Sequence, residues 1–194
     1  MSAAMTVELT SMKARPGHAA ACGLLALALA APLAARADDS IDVGAKVLAP
    51  EAIKQGLFPD DECEQVKAAG FKCMGFKPPV RFSLPAVSFK IGSAELPDLV
   101  KQQLDGFAEV LRTRQNVDRK VRIEGHADAS GDMAANLDLS QRRAEAAKQY
   151  LVSKGVNPEL VNTVGMGAKA PKDAKNPLSP ENRRVVIGRD SEPR

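Results

Sequence analysis

Residues 125–144 contain the polar side chains that are best placed to do chemistry, because they link a predicted strand to a predicted helix and loops at strand ends commonly carry sites. Within them, His126 and Asp128 have the His-x-Asp spacing of a metal-binding pair, with Asp132 or Asp138 as a third ligand. This pattern raises the hypothesis of a metal-dependent hydrolase. His126 is, however, the single histidine after the predicted leader, and a packed structural role at a strand end explains it better.

A calcium loop that begins at Asp128 is a further alternative, since Ser130 and Asp132 follow at every second position. In such a loop the twelfth residue supplies a bidentate glutamate. Here the twelfth residue is Leu139, so we reject a calcium site. We expect no metal, no cofactor and no enzymatic activity.

Opposite charges at the two ends of the same segment offer another kind of chemistry. Asp128 and Arg143 lie fifteen residues apart. A site that binds the amphoteric end of an amino acid needs one anion and one cation at a fixed separation. A guanidinium group binds a carboxylate better than an ammonium group does. We expect Arg143 in the first turn of a helix capped by Ser140, where exposed amides favour an anion. A simple turn at Asp128 and a solvated helix face around Arg142 and Arg143 remain the alternatives.

The elements that must position these side chains alternate between strands and helices. Apolar residues recur with the strand period or the helix period in six segments, which predict strand 87–91, helix 96–111, strand 121–124, helix 141–154, strand 160–164 and strand 184–187. The β-α-β-α-β-β order predicts an α+β domain of two layers, a mixed sheet covered by both helices. We place this domain at residues 85–190.

The first 37 residues have the plan of a secretory signal peptide. Lys13 and Arg15 precede an Ala- and Leu-rich run over residues 19–34, and small residues occupy the two recognition positions before a cut after Ala37. The run is shorter than the roughly 18 residues that a membrane helix needs. We therefore expect a cleaved leader and a periplasmic protein, with no transmembrane span.

Composition and charge exclude one class of partner. Aromatic residues make up 4% of the chain, with no Trp, which argues against a nucleic-acid surface built on stacked rings. Loss of the leader lowers the formal charge from +3 to about +1. A protein of such low net charge attracts a polyanion only weakly.

The cysteines predict a disulfide in the segment that follows the leader. Cys22 lies inside the leader and lacks the longer apolar run of an acylated cysteine, whereas Cys63 and Cys73 form an even pair in an exported chain. We interpret residues 38–84 as an irregular, proline-interrupted extension with one short helix over 61–69. A Cys63–Cys73 disulfide would stabilise this extension.

Several spaced motifs resemble one known family, the OmpA-like C-terminal domain. Residues 125–144 are similar to its pattern Gly-His-Thr-Asp-x-x-Gly, four residues, Asn-x-x-Leu-Ser-x-x-Arg-Ala. Further on, Gly165-Met166-Gly167, Pro171 and residues 182–185 match the closing elements of the family in the right order. The resemblance covers about residues 86–188.

This resemblance implies non-covalent binding of peptidoglycan through the diaminopimelate residue of its stem peptide, in a protein associated with the cell wall or outer membrane. It implies that Asp128 binds the ammonium of the ligand and that Arg143 binds its carboxylate. It also places Asn136, Asn182 and Arg183 beside the pocket. Arg183 and Arg184 alternate along a strand, so only one faces the site, and we choose Arg183.

One residue departs from the family pattern, because Ala127 stands where a threonine is usual. The missing hydroxyl removes a hydrogen bond worth about 0.5 to 1.5 kcal/mol if it was made, which would lower affinity without changing the mode of binding. An interaction module that holds an envelope protein through residues 38–84 is the alternative function, and it is compatible with wall binding.

Overall fold

Five strands and four α-helices make up the part of the chain that the computed structural model describes, which is residues 40–74, 77–84, 89–114 and 117–190. In chain order they are β1 (Ile41–Asp42), α1 (Pro50–Leu57), α2 (Asp60–Ala68), β2 (Phe82–Leu84), α3 (Asp98–Arg112), β3 (Val121–Gly125), α4 (Met133–Ser153), β4 (Val161–Gly165) and β5 (Val185–Arg189). The predicted leader lies outside the described residues. None of the described helices has the length and apolar character that a membrane crossing requires.

The strands form one mixed sheet in the order β1-β2-β5-β3-β4. β3 and β4 are parallel, whereas β5 runs antiparallel to both β2 and β3. From β2 onward the elements follow the predicted β-α-β-α-β-β order, which confirms the α+β class with its mixed sheet. The core lies between the sheet and the helices, where Phe107 of α3 meets Phe82 of β2 edge to face at 5.6 Å between ring centroids.

The first strand of the domain is β2, so the prediction of a strand at residues 87–91 is wrong for the residues that can be checked. Residues 87 and 88 lie outside the described residues, and Phe89 to Ile91 are not in a strand. Phe89 is buried in the core while Ile91 is 75% exposed. The apolar residues therefore alternate with polar ones as in a strand, but residues 89–91 do not pair with a neighbouring strand. The Phe82-Ser83-Leu84 segment has that partner in β5.

Helix α4 begins at Met133, eight residues before the predicted start at Gln141, and Ser140 is not its N-cap. The cap is Asp132, whose carboxylate accepts a hydrogen bond from the backbone N–H of Ala135 at 2.8 Å. Ser140 lies inside the helix, where its hydroxyl donates to the carbonyl of Leu137 and accepts from the N–H of Gly167. Serine is a favoured N-cap residue, so the presence of Ser140 inside the helix led to a predicted helix start that is too late.

The segment before β2 contributes to the same core through two short helices. The predicted helix at 61–69 is confirmed as α2, and α1 buries Ile53 and Leu57. Pro50 occupies the first turn of α1 and Pro59 is the N-cap position of α2. Prolines at helix starts cost no hydrogen bond, so residues that suggested an irregular chain instead begin helices.

A disulfide and a cluster of ion pairs hold α2 in place. Cys63 and Cys73 are joined by a disulfide with Cα atoms 5.3 Å apart. On the same helix, the carboxylate of Asp61 accepts from Arg114 at 2.7 Å and from Arg119 at 2.6 Å, and that of Asp60 accepts from Arg189 at 2.8 Å. Arg114 and Arg119 lie in the loop between α3 and β3, and Arg189 is the last residue of β5, so the cluster ties α2 to the sheet domain.

We expect the Asp61 ion pairs to contribute to stability in a pH-dependent manner. Burial alone would raise the pKa of Asp61, but the Arg114 hydrogen bond and the charges of Arg114 and Arg119 hold the pKa below its usual range. At pH 7, Asp61→Asn should lower the free energy of unfolding by about 1 to 2 kcal/mol. Because a lowered folded-state pKa stabilises only while the carboxylate is ionised, the difference between the two proteins should begin to shrink below about pH 4 and vanish below the folded-state pKa.

Urea unfolding at several pH values measures this effect. Asp98→Asn is the matched control, because the Asp98 side chain is 92% exposed and pairs with Lys101 on the solvated face of α3. It should change stability by less than about 0.5 kcal/mol. A wild-type to Asp61→Asn difference that persists unchanged at pH 3 would show that ionisation of Asp61 is not the cause.

Candidate functional site

Two glycines bring helix α4 against the ends of β3 and β4, which places the middle of the helix beside the loop after β3. A Cβ atom on Gly125 would overlap the carbonyl oxygen of Ser140, and one on Gly165 would lie 2.7 Å from the carbonyl oxygen of Leu137. Only glycine permits so close an approach. The loop that begins at His126 and the side chain of Arg143 therefore share one end of the sheet.

Asp128 is the buried anion of this region. Its Oδ1 accepts from the backbone N–H of Ser130 at 3.1 Å and from the Ser130 hydroxyl, and its Oδ2 accepts from Nη1 of Arg183 at 2.7 Å. Burial alone would raise the pKa of Asp128, but the hydrogen bonds from Ser130 and Arg183 outweigh it and hold the pKa below its usual range. The carboxylate is thus ionised at neutral pH.

Arg143 is a buried cation near the middle of α4, so the prediction that it lies in the first turn of a helix is wrong. It is 0% exposed, and its guanidinium donates to three backbone carbonyls, those of Ser93 at 2.9 Å, His126 at 2.9 Å and Lys90 at 3.3 Å. Burial and the charge of Arg183 lower the pKa of Arg143 to about 10, while Asp128 opposes them. Carbonyl oxygens, rather than a helix dipole, offset the cost of burying this charge.

Arg183 is the second cation at Asp128, and it leads into β5. Its Nε donates to the carbonyl of Phe89 at 3.0 Å, and its Nη1 donates to Asp128. Arg184 behaves differently, because it is fully buried and donates to the carbonyl of Ala170 at 3.1 Å. Arg142 follows the alternative of a solvated helix face, because it pairs with Asp138 at 2.9 Å and has a side chain that is 59% exposed.

The two asparagines organise the loops around the site. Asn136 donates to the carbonyl of Gly131 at 3.2 Å, within the loop that carries Asp128. Asn182 accepts from the N–H of Asp173 and donates to several carbonyls between 173 and 177, among them that of Pro177 at 3.1 Å. The same Pro177 carbonyl accepts from the N–H of Ala129 at 2.9 Å. The Asn182 amide is therefore used in fixing the loop that supports the Asp128 segment.

His126 lies in the core beside a glutamate. Its backbone N–H donates to the carbonyl of Arg184 at 2.9 Å, and its Nε2 lies 3.7 Å from Oε2 of Glu124. Across the described residues, no three His, Cys, Asp or Glu side chains converge as a metal site would require. The geometry gives the hydrolase hypothesis no ligand set.

Two open clefts lie near this region, and the residues that line them do not include Asp128, Arg143 or Arg183. One, of about 270 Å³, lies over the segment between β2 and α3 and is lined by Lys90, Ser93, Glu95, Leu96, Pro97 and Asp98. The other, of about 260 Å³, is more apolar and is lined by Ala129, Gly131, Met133, Asn136, Leu137, Gly167, Ala168 and Lys169. Only the second cleft borders the loop that carries Asp128, through Ala129 and Gly131.

Sequence reasoning missed two contributors to the site. Ser130 binds Asp128 through both its N–H and its hydroxyl, and the Asp-x-Ser spacing is a known turn signal that could have indicated this. The backbone carbonyls of residues 89, 90 and 93 accept hydrogen bonds from Arg143 and Arg183. Backbone acceptors carry no sequence signal, so the second contribution was not predictable.

Comparison with known proteins places these residues inside a domain of a known family. The family model described as the OmpA family matches residues 88–184, which is half of the chain. Among curated proteins, the chain is 32% identical over 104 residues to the peptidoglycan-associated lipoprotein of Buchnera aphidicola subsp. Baizongia pistaciae, and 33% identical over 101 residues to that of Pseudomonas putida. These matches span 52% and 51% of this chain and 59% of each relative.

Outer membrane protein A of Yersinia pseudotuberculosis is 38% identical over 92 residues, covering 47% of this chain and 26% of that protein. Among solved structures, the peptidoglycan-associated lipoprotein of Burkholderia pseudomallei is similar at 28% identity with a TM-score of 0.47, over 54% of this chain and 88% of that one. The periplasmic domain of Helicobacter pylori MotB is similar at 18% identity with a TM-score of 0.48, over 58% of this chain and 83% of that one.

Proposed function

Because the chain belongs to the OmpA family, we propose that it binds peptidoglycan non-covalently in the periplasm and anchors an envelope component to the cell wall. Relatives that carry the name peptidoglycan-associated lipoprotein support this function. Those relatives match over 59% of their length, so the proposal concerns the shared domain. Binding, rather than catalysis, is the proposed activity.

The observation that carries the proposal is a buried, ionised aspartate that is paired with one guanidinium group and lies in a loop bound by a second. The Asp128 carboxylate is held ionised by hydrogen bonds, and Arg143 and Arg183 bring positive charge to the same loop. A carboxylate next to guanidinium groups complements the ammonium and carboxylate of an amino-acid end.

We infer that the ligand is the amphoteric end of the diaminopimelate residue in the peptidoglycan stem peptide. This residue presents an ammonium and a carboxylate on one carbon atom, at the end of a flexible aliphatic chain. In this proposal Asp128 takes the ammonium, and the guanidinium groups of Arg143 and Arg183 attract the carboxylate. Asn136 and Asn182 support the loops that form the walls of the site.

Sedimentation of the protein with purified sacculi tests both levels of the proposal. Walls whose stem peptides carry diaminopimelate should bind the protein at least about 10-fold more tightly than walls that carry lysine at that position. Lysine presents only an ammonium, so the site would lose its carboxylate contacts, and one charge-assisted pair is worth about 1.5 to 3 kcal/mol. Free meso-diaminopimelate should compete with the walls.

Two outcomes would contradict the proposal at different levels. Equal binding to both kinds of wall would overturn diaminopimelate as the recognised group while leaving peptidoglycan binding in place. Failure to sediment with either wall, by a protein whose unfolding transition is intact, would overturn peptidoglycan binding itself.

A further inference from the structure

The anion of the site is paired with a cation of the protein itself. Nη1 of Arg183 lies 2.7 Å from Oδ2 of Asp128, with the two side chains 14% and 5% exposed. Any ligand that brings an ammonium to Asp128 must therefore compete with this guanidinium. A ligand therefore has to compensate for the loss of the ion pair between Asp128 and Arg183.

The two arginines differ in their freedom to change partners. Arg143 is completely buried, and Nε, Nη1 and Nη2 each donate to a backbone carbonyl. These bonds use three of its five N–H groups and fix the guanidinium in one position. The bonds of Arg183 to Phe89 and Asp128 use two of its five N–H groups, and its side chain reaches the surface.

We propose that Arg183 is the specificity-determining residue of the site, because it exchanges partners when an amphoteric ligand binds. This inference rests on the proposed function and deepens it. The ligand ammonium replaces the Arg183 guanidinium on Asp128, and the released guanidinium binds the ligand carboxylate. Both protein charges are paired before and after the exchange, so no buried charge is left without a partner.

The exchange explains why a ligand with a single charge is disfavoured. A ligand that carries only an ammonium displaces Arg183 but leaves its guanidinium without an anion. A ligand that carries only a carboxylate has nothing to place on Asp128. A ligand with a single charge therefore binds more weakly because it leaves one charge of the complex unpaired. Other specific sites likewise disfavour the wrong ligand by leaving a group unpaired.

Arg143 attracts the ligand carboxylate without changing its own partners, and it also positions Arg183. Its bonds to the carbonyls of Lys90 and Ser93 hold the segment that begins at Phe89. The Phe89 carbonyl accepts from Nε of Arg183, and this bond can persist as a pivot while the outer part of the guanidinium changes partners. The fixed arginine thereby keeps the exchanging one in place.

Calorimetric titration of the purified protein with three small ligands tests the exchange. The ligands are meso-diaminopimelate, 1,5-diaminopentane, which lacks the carboxylates, and pimelate, which lacks the ammonium groups. The wild type should prefer diaminopimelate over each of the other two by at least about 30-fold. In Arg183→Gln, diaminopimelate should bind about 10-fold more weakly, while 1,5-diaminopentane should bind several-fold more tightly because Asp128 is no longer occupied.

The ratio of the two affinities separates a specificity role from a structural one. Arg142→Gln is the matched control and should keep the wild-type preference, since this neighbouring arginine pairs with Asp138 on the solvated face. If Arg183 merely supports the fold, Arg183→Gln will weaken both ligands together and leave their ratio unchanged, which would overturn the inference. Arg183→Lys, which keeps one charge, should restore part of the preference and covers the case in which the glutamine variant unfolds.

The outcome also distinguishes this inference from the proposed function. An unchanged preference in Arg183→Gln, in a protein that still sediments with sacculi, overturns the exchange alone. Failure of the wild type to sediment with sacculi overturns the proposed function.

Discussion

Replacing Asp128 with asparagine is expected to abolish binding to diaminopimelate-containing sacculi. The amide keeps the shape of the side chain but removes the charge that would hold the ligand ammonium, and the loss of one member of a buried charge pair costs about 2 to 5 kcal/mol. Affinity should therefore fall by at least about 30-fold. The measurement is the fraction of protein that sediments with sacculi as the amount of wall is varied.

The control for this prediction is Asp138→Asn, which removes a carboxylate from the exposed face of α4. Asp138 has a side chain that is 66% exposed and pairs with Arg142, so binding should remain at the wild-type level. If the Asp128 and Asp138 variants sediment equally well, Asp128 does not contact the ligand.

The same carboxylate gives binding a defined pH dependence. Because the folded-state pKa of Asp128 lies below its usual range, binding by the wild type should be nearly constant from pH 8 to about pH 5 and be lost only as the pH falls below about 4.

Replacing Arg143 with methionine should strongly destabilise the protein. Methionine preserves much of the aliphatic packing but leaves the carbonyls of Ser93 and His126 without their buried donor, while the carbonyl of Lys90 keeps the N–H of Ser93. Each unsatisfied carbonyl costs about 1 to 3 kcal/mol, and we expect a total loss of about 3 to 5 kcal/mol after partial relaxation. Urea unfolding monitored by circular dichroism measures it.

Two further variants make the Arg143 result specific. Arg143→Lys should recover only part of the loss, because one ammonium cannot reach three carbonyls in the geometry of a planar guanidinium. Arg142→Met, one position earlier on the exposed face, should change stability by less than about 0.5 kcal/mol. A loss below about 1 kcal/mol in Arg143→Met would contradict the role of this arginine in the fold.

The order of strands and helices in the domain was predictable because apolar periodicity depends on which face of an element is buried. The helix over 96–111 and the strands near 121–124 and 160–164 have strong patterns, and they correspond to α3, β3 and β4. The strand near 87–91 was misplaced because Phe89 and Ile91 alternate with polar residues without lying in a sheet. A period of two cannot distinguish a strand from an extended loop that buries one side chain.

The charged residues of the site were harder to interpret from the sequence. An arginine in a helix is usually solvated, and nothing near Arg143 in the sequence indicates the three carbonyls that surround it, two of which come from residues about 50 positions earlier. The pairing of Asp128 with Arg183 likewise spans 55 residues. Such contacts arise from the folding of distant segments, so local patterns cannot show them.

A crystal structure of the protein bound to a muramyl tripeptide that ends in diaminopimelate tests the central claim most directly. We predict that the terminal ammonium lies within hydrogen-bonding distance of the Asp128 carboxylate, and that Arg183 has left Asp128 to bind the adjacent carboxylate of the ligand. A ligand seated elsewhere, with the Asp128–Arg183 ion pair still closed, would contradict the account.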